Sequence, residues 1–358
     1  MNSEIVRYFV REHTSIRDAM AQADVGKHGI VLAVDETKHL LGTVTDGDFR
    51  RAILANISLD EPVSFLLASK SSPGSGKPIT APDDAERNTI LRILQEHKIL
   101  HLPLVNDDYQ VTGLANLDDF LVDEPLDIQA LIMAGGQGAR LRPLTDNIPK
   151  PMLPIGDQPL MEITVQKLEE AGIRQINVAV HHKSDNIKNH FGDGHNHGVE
   201  INYIDEDQPL GTAGALGIMP TPDQTTLVVN GDILTQMDFR AMLVYHREHD
   251  ADLTVAVHGR DFQVPYGVIE CDGPDVKGLT EKPSLKYFIN AGIYLLEPAA
   301  YHFIPSGKPC DMTDLITRLL DEKRPVVAFP VREYWMDIGQ HSDYEQAQVD
   351  MLTGKILE

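Results

Sequence analysis

A glycine-rich string directly after an apolar run most constrains how this chain folds. The run Leu131-Ile132-Met133 precedes AGGQGARLRPLTDNIPKP, which spans positions 134–151. Arg140 and Lys150 put two cations into this string, although the formal net charge of the chain is -23. Glycines let backbone N–H groups approach a polyphosphate because no side chain intervenes. The candidate phosphate-binding glycines are Gly135, Gly136 and Gly138. The string therefore predicts a strand that ends in a loop for a nucleoside triphosphate.

Beyond residue 128, apolar strand-like runs alternate with helical patterns, which predicts an α/β domain with a mostly parallel sheet. The clearest strands are at 130–133, 176–180, 227–229 and 252–257. Helices are predicted at 160–171, where Gly172 suits the C-cap, and at 239–249, where Asp238 suits the N-cap. In such sheets ligands bind at the carboxyl ends of the strands. Motifs that directly follow a strand therefore carry most of the functional information.

Two motifs of this kind supply carboxylates. The strand at 227–229 is followed by Asn230-Gly231-Asp232, and the string EYWMDIG at 333–339 contains Asp337. An Asn-Gly-Asp turn alone is ordinary. Two aspartates from distant parts of a chain can nevertheless share one Mg²⁺, whose octahedron is completed by triphosphate oxygens. We therefore predict that Asp232 and Asp337 are the metal ligands and that Mg²⁺ is the cofactor.

Taken together, these motifs resemble those of the sugar-1-phosphate nucleotidyltransferases. The glycine-rich string is similar to the family's G-G-x-G-x-R-L-x-P-L-T element with a following K-P, and does not match P-loop spacing. The aspartate motifs resemble its metal-binding N-G-D and W-x-D-x-G motifs. The resemblance covers residues 128–339 and implies a Rossmann-like domain that joins an NTP to a sugar 1-phosphate and releases pyrophosphate. The implied catalytic residues are Arg140, Lys150, Asp232, Lys282 and Asp337.

Further motifs resemble the substrate-binding elements of the same family. Glu281-Lys282-Pro283 is similar to its sugar-binding E-K-P motif, and the string NAGIY at 290–294 is similar to N-A-G-[IV]-Y. The implied sugar-binding residues are Glu281, Asn290 and Gly267. The string DEDQPLGTAGA at 205–215 resembles the L-G-T-A-G element that lines the nucleobase pocket. Gly211 and Thr212 of this element join the glycines of the phosphate loop as expected nucleotide-binding residues.

Glu206 favours GTP as the nucleotide. Guanine presents two adjacent N–H donors, which a carboxylate can accept together, whereas uracil and thymine pair better with an amide. Glu206 lies five residues before Gly211, where similar guanylyltransferases carry an acid and similar uridylyl- or thymidylyltransferases carry glutamine. The alternative is that Glu206 is one of several solvated acids in the run at 205–207.

An internal repeat occupies the first 125 residues. GIVLAVDETKHLLGTVTDGDFRRAIL at 29–54 and KILHLPLVNDDYQVTGLANLDDFLV at 98–122 each read as strand, turn, strand and helix, with a helical pattern before each copy. Gly42 and Gly113 set the register, and an aspartate follows each of them six positions later. The repeat resembles a tandem pair of cystathionine-β-synthase (CBS) domains, an α+β Bateman module that binds adenine nucleotides through their ribose hydroxyls.

The candidate ligand-binding residues of this CBS pair are Thr45, Asp48 and Asp119. The second copy departs from the family pattern, since Ala115 and Asn116 stand where valine and threonine are expected. The alternative is a module that only packs subunits together, in which both aspartates are helix N-caps. An acidic hinge at 123–127 divides the expected CBS pair, residues 1–125, from the expected catalytic domain, residues 126–358.

The acidic balance argues against nucleic acid and anionic membranes as partners, because both would be repelled. No run of about 18 apolar residues occurs. We therefore expect a soluble, cytoplasmic protein, and a homo-oligomer, either dimer or tetramer, built through the CBS pair.

A CBS pair ahead of a transferase resembles the glucosamine-1-phosphate guanylyltransferases of bacterial legionaminic acid synthesis. That resemblance implies GTP and either glucosamine 1-phosphate or N-acetylglucosamine 1-phosphate as substrates. Guanylyltransferases of mannose 1-phosphate or heptose 1-phosphate are the nearest alternatives. An alternative of another class is a non-catalytic protein that senses nucleotides.

Overall fold

The computed structural model describes residues 5–26, 28–70, 78–97, 99–117, 120 and 126–356. The chain divides into two compact units, Met1–Glu124 and Pro125–Glu358. No helix of the described residues is long and apolar enough to cross a membrane. The functional boundary between residues 125 and 126 stays a prediction.

In the N-terminal unit, the first copy of the repeat has its two strands and its helix in the predicted order. The second copy has the preceding helix and both strands, and the helix predicted after them lies largely outside the described residues. The elements of this unit are β1 (Phe9–Val10), α1 (Ile16–Gly26), β2 (Ile30–Val34), β3 (Leu40–Thr45), α2 (Asp46–Leu54), α3 (Val63–Lys70), β4 (Ala81–Pro82), α4 (Arg87–Glu96), β5 (His101–Val105) and β6 (Val111–Asn116). They form two three-stranded sheets, β1-β2-β3 and β4-β5-β6. In each sheet the first pair of strands is parallel and the second is antiparallel.

Strand β2 shows how the two copies pack. All five of its residues are apolar and buried. Because side chains alternate along a strand, Val31 and Ala33 join the core of the first copy, while Ile30, Leu32 and Val34 face the other way. That second face packs in one cluster with apolar residues of β5 and β6, among them Val105 and Val111. The apolar run of β2 thus gives the N-terminal unit a core that includes both copies.

The C-terminal unit begins with a buried strand and alternates between strands and helices. Its elements are β7 (Ile128–Met133), β8 (Pro154–Ile155), β9 (Gln158–Pro159), α5 (Leu160–Glu170), β10 (Gln175–Val180), α6 (Ser184–Phe191), β11 (Glu200–Asp205), β12 (Thr225–Asn230), β13 (Ile233–Thr235), α7 (Phe239–Glu248), β14 (Leu253–Gln263), β15 (Val268–Asp272), β16 (Asp275–Thr280), β17 (Ser284–Leu296), α8 (Met312–Asp321), β18 (Val326–Val331), β19 (Trp335–Asp337) and α9 (His341–Leu352).

A seven-stranded sheet with the order β11-β10-β7-β12-β17-β14-β18 forms the centre of this unit. Strands β11, β10, β7 and β12 are parallel to one another, and β14 is parallel to β18. Only β17 among these seven strands runs antiparallel to both of its neighbours. The prediction of a mostly parallel α/β sheet is therefore confirmed.

Helices cover both faces of the sheet, which explains why its central strands are largely apolar. On β7, Ala130 and Ile132 pack with residues of α5, α6 and α7, whereas Leu131 packs with residues of α8 on the opposite face. The predicted start of α7 is confirmed, whereas the C-cap of α5 is Ala171, and the predicted Gly172 lies one residue beyond it. Helix α5 ends two residues before Gly172, whose φ is +87°, and the Asp238 carboxylate accepts a hydrogen bond from the Ala241 N–H at the start of α7.

Candidate active site

A cavity of about 250 Å³ lies at the carboxyl ends of β7 and β12. The last residues of these strands, Met133 and Asn230, are paired in register, and the Gly231 N–H donates to the Met133 carbonyl at 2.9 Å. The lining residues are Met133, Gly135, Gly136, Lys150, Pro151, Glu206, Pro209, Leu210, Gly211, Thr212, Asn230, Gly231 and Asp232. This is the edge of the sheet at which α/β proteins bind ligands.

Two paired strands bring the two predicted metal ligands together. Strand β13 pairs antiparallel with β19, and Ile233 lies opposite Asp337. The Ile338 N–H donates to the Asp232 carbonyl at 3.0 Å. Asp232, directly before β13, therefore lies beside Asp337, the last residue of β19, although the two are far apart in the sequence.

Lys150 lies beside both carboxylates. Its Nζ is 2.6 Å from Asp232 Oδ2 and 3.9 Å from Asp337 Oδ1, and its side chain is buried. Burial raises the pKa of Asp337, and the Asp232 carboxylate adds to the rise, whereas Lys150 and Arg140 oppose it. The pair of carboxylates thus carries more negative charge than Lys150 alone balances.

The donor set at this point fits Mg²⁺. Mg²⁺ is usually bound by one or two carboxylates, with phosphate oxygens and water as its other ligands. Among the described residues, no group of three or more histidine, cysteine, aspartate or glutamate side chains could hold a metal ion. Asp232 and Asp337 would therefore hold Mg²⁺ together with oxygens of a substrate.

The glycine-rich loop packs closely against the residues around it. A Cβ on Gly135 would lie 2.6 Å from Glu206 Oε2, and a Cβ on Gly138 would lie 2.9 Å from Thr145 Cγ2. Gly138 also has a φ of +61°, which favours glycine. Gly136 has open space around it. A larger residue at position 135 would therefore displace the Glu206 carboxylate, and the left-handed backbone together with the close contact favours glycine at position 138. Arg140 is exposed and lies outside the lining of the cavity.

Glu206 is buried, with only 8 % of its surface exposed. Its backbone N–H donates to the Val180 carbonyl at 2.9 Å, which fixes the residue just beyond β11. Its Oε1 has no hydrogen-bond partner within the described part of the chain. Burial raises the pKa of Glu206, while His181 and the Leu210 backbone N–H oppose the rise. The interpretation of Glu206 as a solvated acid is wrong, because a buried acceptor faces the cavity.

The loop with Gly211 and Thr212 is held by a segment that sequence reasoning missed. Gly211 has a φ of +79°, and a Cβ there would lie 2.6 Å from Asp311 Oδ1. The Thr212 N–H donates to Asp311 Oδ1 at 3.0 Å, and Thr212 Oγ1 accepts from the Met312 N–H at 2.9 Å. The only signal in the sequence is the capping pattern of Asp311 ahead of α8, which indicates a helix start and not a site.

The predicted sugar-binding residues lie outside the lining of the cavity. Glu281 and Gly267 are neighbours, since a Cβ on Gly267 would lie 2.8 Å from Glu281 Oε2. Lys282 is exposed, and its backbone N–H donates to the Tyr266 carbonyl at 3.2 Å. Asn290 Oδ1 accepts from the Gly292 N–H at 2.9 Å. The structure brings the nucleotide and metal residues together at the cavity, and these four residues are not part of its lining.

Asn230 is a further polar residue at the cavity, for which the sequence indicates only a turn. Its Oδ1 is buried without a hydrogen-bond partner among the residues described. A Cβ on Gly292 would lie 2.7 Å from Asn230 Nδ2, so Gly292 leaves the space that this side chain occupies. The motifs at 230–232 and 290–294 therefore meet in space.

In the N-terminal unit, Thr45 is the N-cap of α2 and Asp48 completes a capping box. The Asp48 carboxylate accepts from the Thr45 N–H at 2.7 Å and pairs with Arg51 and Lys70. Burial alone would raise the pKa of Asp48, but Lys70, Thr45 and Arg51 hold it below its ordinary value. The interpretation of Asp48 as the N-cap itself is wrong, because Thr45 has that position. Asp119 lies outside the described residues.

Known proteins share both parts of the chain. Residues 129–354 match the nucleotidyl transferase family, and residues 1–55 and 75–122 match the CBS domain. The chain is 36 % identical over 250 residues to a UTP–glucose-1-phosphate uridylyltransferase of Synechocystis sp., with 64 % of each protein covered. It is 31 % identical over 235 residues to a mannose-1-phosphate guanylyltransferase of Mycobacterium tuberculosis, with 63 % of this chain and 65 % of that protein covered. The chain thus spans just under two thirds of these relatives.

A solved structure shares the fold. It was assigned as a glucose-1-phosphate thymidylyltransferase from Bacillus anthracis, in complex with sucrose. The TM-score is 0.52 at 24 % identity, and the match covers 62 % of this chain and 94 % of the other. At this identity the similarity supports the architecture of the C-terminal unit.

Proposed function

Because the chain belongs to the nucleotidyl transferase family, we propose that it transfers a nucleoside monophosphate from an NTP to a sugar 1-phosphate. The observation that carries the proposal is the cluster of Lys150, Asp232 and Asp337 beside a cavity with a buried, unpaired acceptor at Glu206. Such a site has a cation for phosphate, carboxylates for a metal and an acceptor for a base. The products are an NDP-sugar and pyrophosphate.

The reaction is an in-line displacement. A phosphate oxygen of the sugar 1-phosphate forms a bond to the α-phosphorus of the NTP, and the bond from that phosphorus to the bridging oxygen breaks. The electron pair leaves with pyrophosphate. Asp232 and Asp337 would hold Mg²⁺, which supplies positive charge to the triphosphate oxygens when it is bound. The protein contributes position and electrostatic stabilisation, and no covalent intermediate is required.

Each cationic side chain of the site would bind a different phosphate group. Lys150 is buried beside the carboxylates, which suits contact with the phosphate that is transferred. Arg140 would stabilise the departing pyrophosphate, and the N–H groups of Gly135, Gly136 and Gly138 would bind the β- and γ-phosphates. Lys282, with Glu281, Asn290 and Gly267, would bind the sugar phosphate.

GTP is the favoured nucleotide. A buried carboxylate with a free oxygen accepts the two adjacent N–H groups of guanine, and uracil offers only one such donor. Gly135 supports this proposal, because any larger residue would fill the space beside the carboxylate. Glucosamine 1-phosphate or N-acetylglucosamine 1-phosphate is the first choice of sugar. Mannose 1-phosphate and heptose 1-phosphate follow, the former because a mycobacterial relative is a mannose-1-phosphate guanylyltransferase.

A substrate matrix tests the proposal. The full chain, with Mg²⁺, is incubated with each of four NTPs and each of several hexose, hexosamine and heptose 1-phosphates, and pyrophosphate release is measured. We expect turnover with GTP and one class of sugar. If no pair releases pyrophosphate while adenine nucleotides bind tightly, the alternative of a nucleotide-sensing protein is favoured.

The CBS pair is proposed to bind an adenine nucleotide near Thr45 and Asp48 and to regulate the transferase. The support for this proposal is the resemblance of the segment with Thr45 and Asp48 to the nucleotide-binding pattern of CBS domains. Because the Asp48 carboxylate is engaged by Thr45, Arg51 and Lys70, ribose hydroxyls would compete with these partners. Rates with and without AMP or ATP test this proposal. Identical rates at saturating adenine nucleotide, together with no measurable binding, would contradict it.

A further inference from the structure

The segment that follows β10 holds the glycine-rich loop, residues 134–151. At the start of the loop, the Ala134 N–H donates to the Ala179 carbonyl of β10 at 2.8 Å. Further along the loop, Lys183 Nζ donates to the Thr145 carbonyl at 2.6 Å. Lys183 lies three residues beyond β10 and is the N-cap of α6. The loop is therefore held at two points by one strand and the segment after it.

Thr145 connects Lys183 to the part of the loop that is expected to bind phosphate. The Thr145 hydroxyl donates to the Gly138 carbonyl at 2.9 Å, and Thr145 is buried. Gly138, with its left-handed backbone, lies against Lys150 as well, since a Cβ on Gly138 would be 3.0 Å from Lys150 Cβ. Movement of Thr145 would therefore disturb both the Gly138 backbone and the packing of Lys150.

Lys183 is fixed by the helix that it begins. Its φ of +56° is uncommon for a residue other than glycine, and its carbonyl accepts from the Asn186 N–H at 3.1 Å. Helix α6 packs into the core of the C-terminal unit through Ile187 and Phe191, which are both buried. The lysine side chain therefore starts from a backbone with a defined position.

The same segment also contacts the residue that is proposed to bind the base. His181 Nδ1 donates to the Glu206 carbonyl at 2.7 Å, and the Glu206 N–H donates to the Val180 carbonyl at 2.9 Å. Residues 181–183 therefore connect Glu206 with the glycine-rich loop.

A loop rich in glycine loses much conformational freedom when it becomes ordered around a ligand. Contacts that order the loop in advance reduce that loss, so preorganised N–H groups bind a polyphosphate more tightly. A charged donor makes a hydrogen bond about twice as strong as a neutral donor does, which suits an ammonium to this role. We propose that Lys183 is a positioning residue, which acts through Thr145 and Gly138 to hold the loop in its phosphate-binding conformation. The inference rests on the proposed function for the nature of the ligand, a triphosphate.

Binding of inorganic pyrophosphate with Mg²⁺, measured by calorimetry, tests the proposal with a probe that needs no particular base. Lys183→Met removes the ammonium and keeps a long side chain, and Thr145→Val removes the hydroxyl that donates to Gly138. We expect each change to raise the Kd of pyrophosphate and KM for GTP by about tenfold, the effect of one lost hydrogen bond, and to change kcat by less than about threefold. Lys183→Arg keeps a charged donor and should restore most of the affinity.

A double variant separates positioning from direct contact with phosphate. Effects that pass through one series of contacts are not additive. Lys183→Met combined with Thr145→Val should therefore have a Kd close to that of the weaker-binding single variant. Multiplied effects would show that Lys183 acts independently of Thr145 and would overturn the proposal. Lys167→Met is the control, since it removes the same charge from an ion pair with Glu170 and should bind pyrophosphate like the wild type.

Trypsin cleavage after Arg140 tests the proposal without a ligand. Arg140 is exposed but Leu141 is buried, so cleavage requires the loop to open. Lys183→Met and Thr145→Val should each raise the rate of this cleavage by about fivefold or more, as followed by mass spectrometry, and Lys167→Met should not.

Circular dichroism and thermal unfolding check that each variant is folded, and Lys183→Ala replaces Lys183→Met if the latter is not. A folded variant of either kind that binds pyrophosphate like the wild type, or whose loop is cleaved no faster, would overturn the proposal. If the wild type binds pyrophosphate but releases none with any NTP and sugar 1-phosphate, the proposed function fails, whereas the Kd values and cleavage rates still test the role of Lys183. A wild type that binds no pyrophosphate would overturn both.

Discussion

At the scale of single residues, the site depends on a balance of charge between Lys150 and two aspartates. The Lys150 Nζ is close to both carboxylates, and the raised pKa of Asp337 reflects its burial first and the neighbouring Asp232 carboxylate second. Binding of a cation would relieve the repulsion between the two carboxylates. The same contacts make the site sensitive to the removal of either carboxylate.

We expect Asp232→Asn and Asp337→Asn each to lower kcat by about 10³-fold or more, because each would remove a charged metal ligand at the reacting phosphates. The midpoint of thermal unfolding should change little, since both side chains are partly exposed. Pyrophosphate release at saturating Mg²⁺ and GTP is the measurement, and Asp207→Asn at an exposed neighbour of Glu206 is the control. Near-normal turnover of both variants would show that the metal assignment is incorrect.

Glu206→Gln is expected to change the choice of nucleobase. An amide offers one donor and one acceptor, which matches uracil or thymine, whereas it leaves one guanine N–H unpaired. The ratio of kcat/KM for GTP to kcat/KM for UTP should fall by about 10²-fold or more. Competition between the two nucleotides measures this ratio directly. An unchanged ratio in a folded variant would contradict the role of Glu206 in base recognition.

The pH dependence of GTP binding should reveal the same carboxyl group. Burial raises the pKa of Glu206 above the ordinary glutamate value of 4.5, so the anion that accepts two N–H groups is lost at a higher pH than usual. As the pH falls through that pKa, KM for GTP should rise. The free energy of unfolding should instead increase as the pH falls, because protonation of Glu206 removes the cost of a buried charge and favours the folded state. The Glu206→Gln variant should lack this acid-dependent rise in KM, and a rise of equal size in that variant would count against the assignment.

Sequence reasoning identified several residues of the site because each follows a strand within a distinctive string. Asp232 and Lys150 were predicted in this way, and the structure brings them together. Asp311 was missed because its contact with Thr212 joins segments that no local pattern connects. The burial of Glu206 was also beyond prediction, since its neighbours Asp205 and Asp207 are exposed.

At the scale of elements, the start of α8 holds the loop that contains Gly211 and Thr212. Asp311 both begins the helix and accepts the Thr212 N–H. A helix end is fixed by the core beneath it, so this contact gives a surface loop a defined position. Met312, the first residue of α8, is buried in that core.

We expect Asp311→Ala to raise KM for the NTP by about tenfold, with little change in kcat, because a loosened loop binds the base less well but does not touch the reacting phosphates. Loss of the cap should also lower the free energy of unfolding by about 1 kcal/mol. Asp311→Asn keeps an acceptor oxygen and should restore KM. If the alanine and asparagine variants have the same KM, the contact with Thr212 has no part in positioning.

The strands β7, β10, β12 and β14 and the helices α5 and α7 were predicted from the sequence, because apolar runs there alternate with amphipathic helical patterns, whereas the other elements of the C-terminal unit were not. The order of the strands could not be predicted in the same way. Strand β17 runs antiparallel between β12 and β14, and this depends on pairing between segments far apart in the sequence. The length of β14 also exceeded the apolar run at 252–257, because its outer end is held by β17 rather than by burial.

At the scale of the whole molecule, each unit has hydrophobic clusters of its own. Those of the N-terminal unit include Leu94 and Leu102, and those of the C-terminal unit include Val178 and Leu131. Separate cores allow each unit to unfold in a transition of its own.

We therefore expect two transitions in differential scanning calorimetry of the full chain. GTP should raise the midpoint of only one of them, since a ligand stabilises the unit that binds it. Leu94→Ala, in the N-terminal unit, should lower the midpoint of the other transition, because removal of a fully buried leucine side chain costs about 2–5 kcal/mol of stability. Val178→Ala in the C-terminal unit is the matched variant and should lower the midpoint of the transition that responds to GTP. A single transition shifted equally by both variants would show that the two units unfold together.

Strand β17 is exposed at its outer end and buried in the central sheet at its inner end, and this has a consequence for how the protein can evolve. Residues 291–296 are buried in the core, whereas Leu285, Tyr287 and Phe288 are exposed. Selection on the inner half acts through the stability of the fold, and selection on the outer half acts only through what that exposed half contacts. Relatives that retain the fold are therefore free to diverge in one half of a single strand while the other half stays nearly fixed.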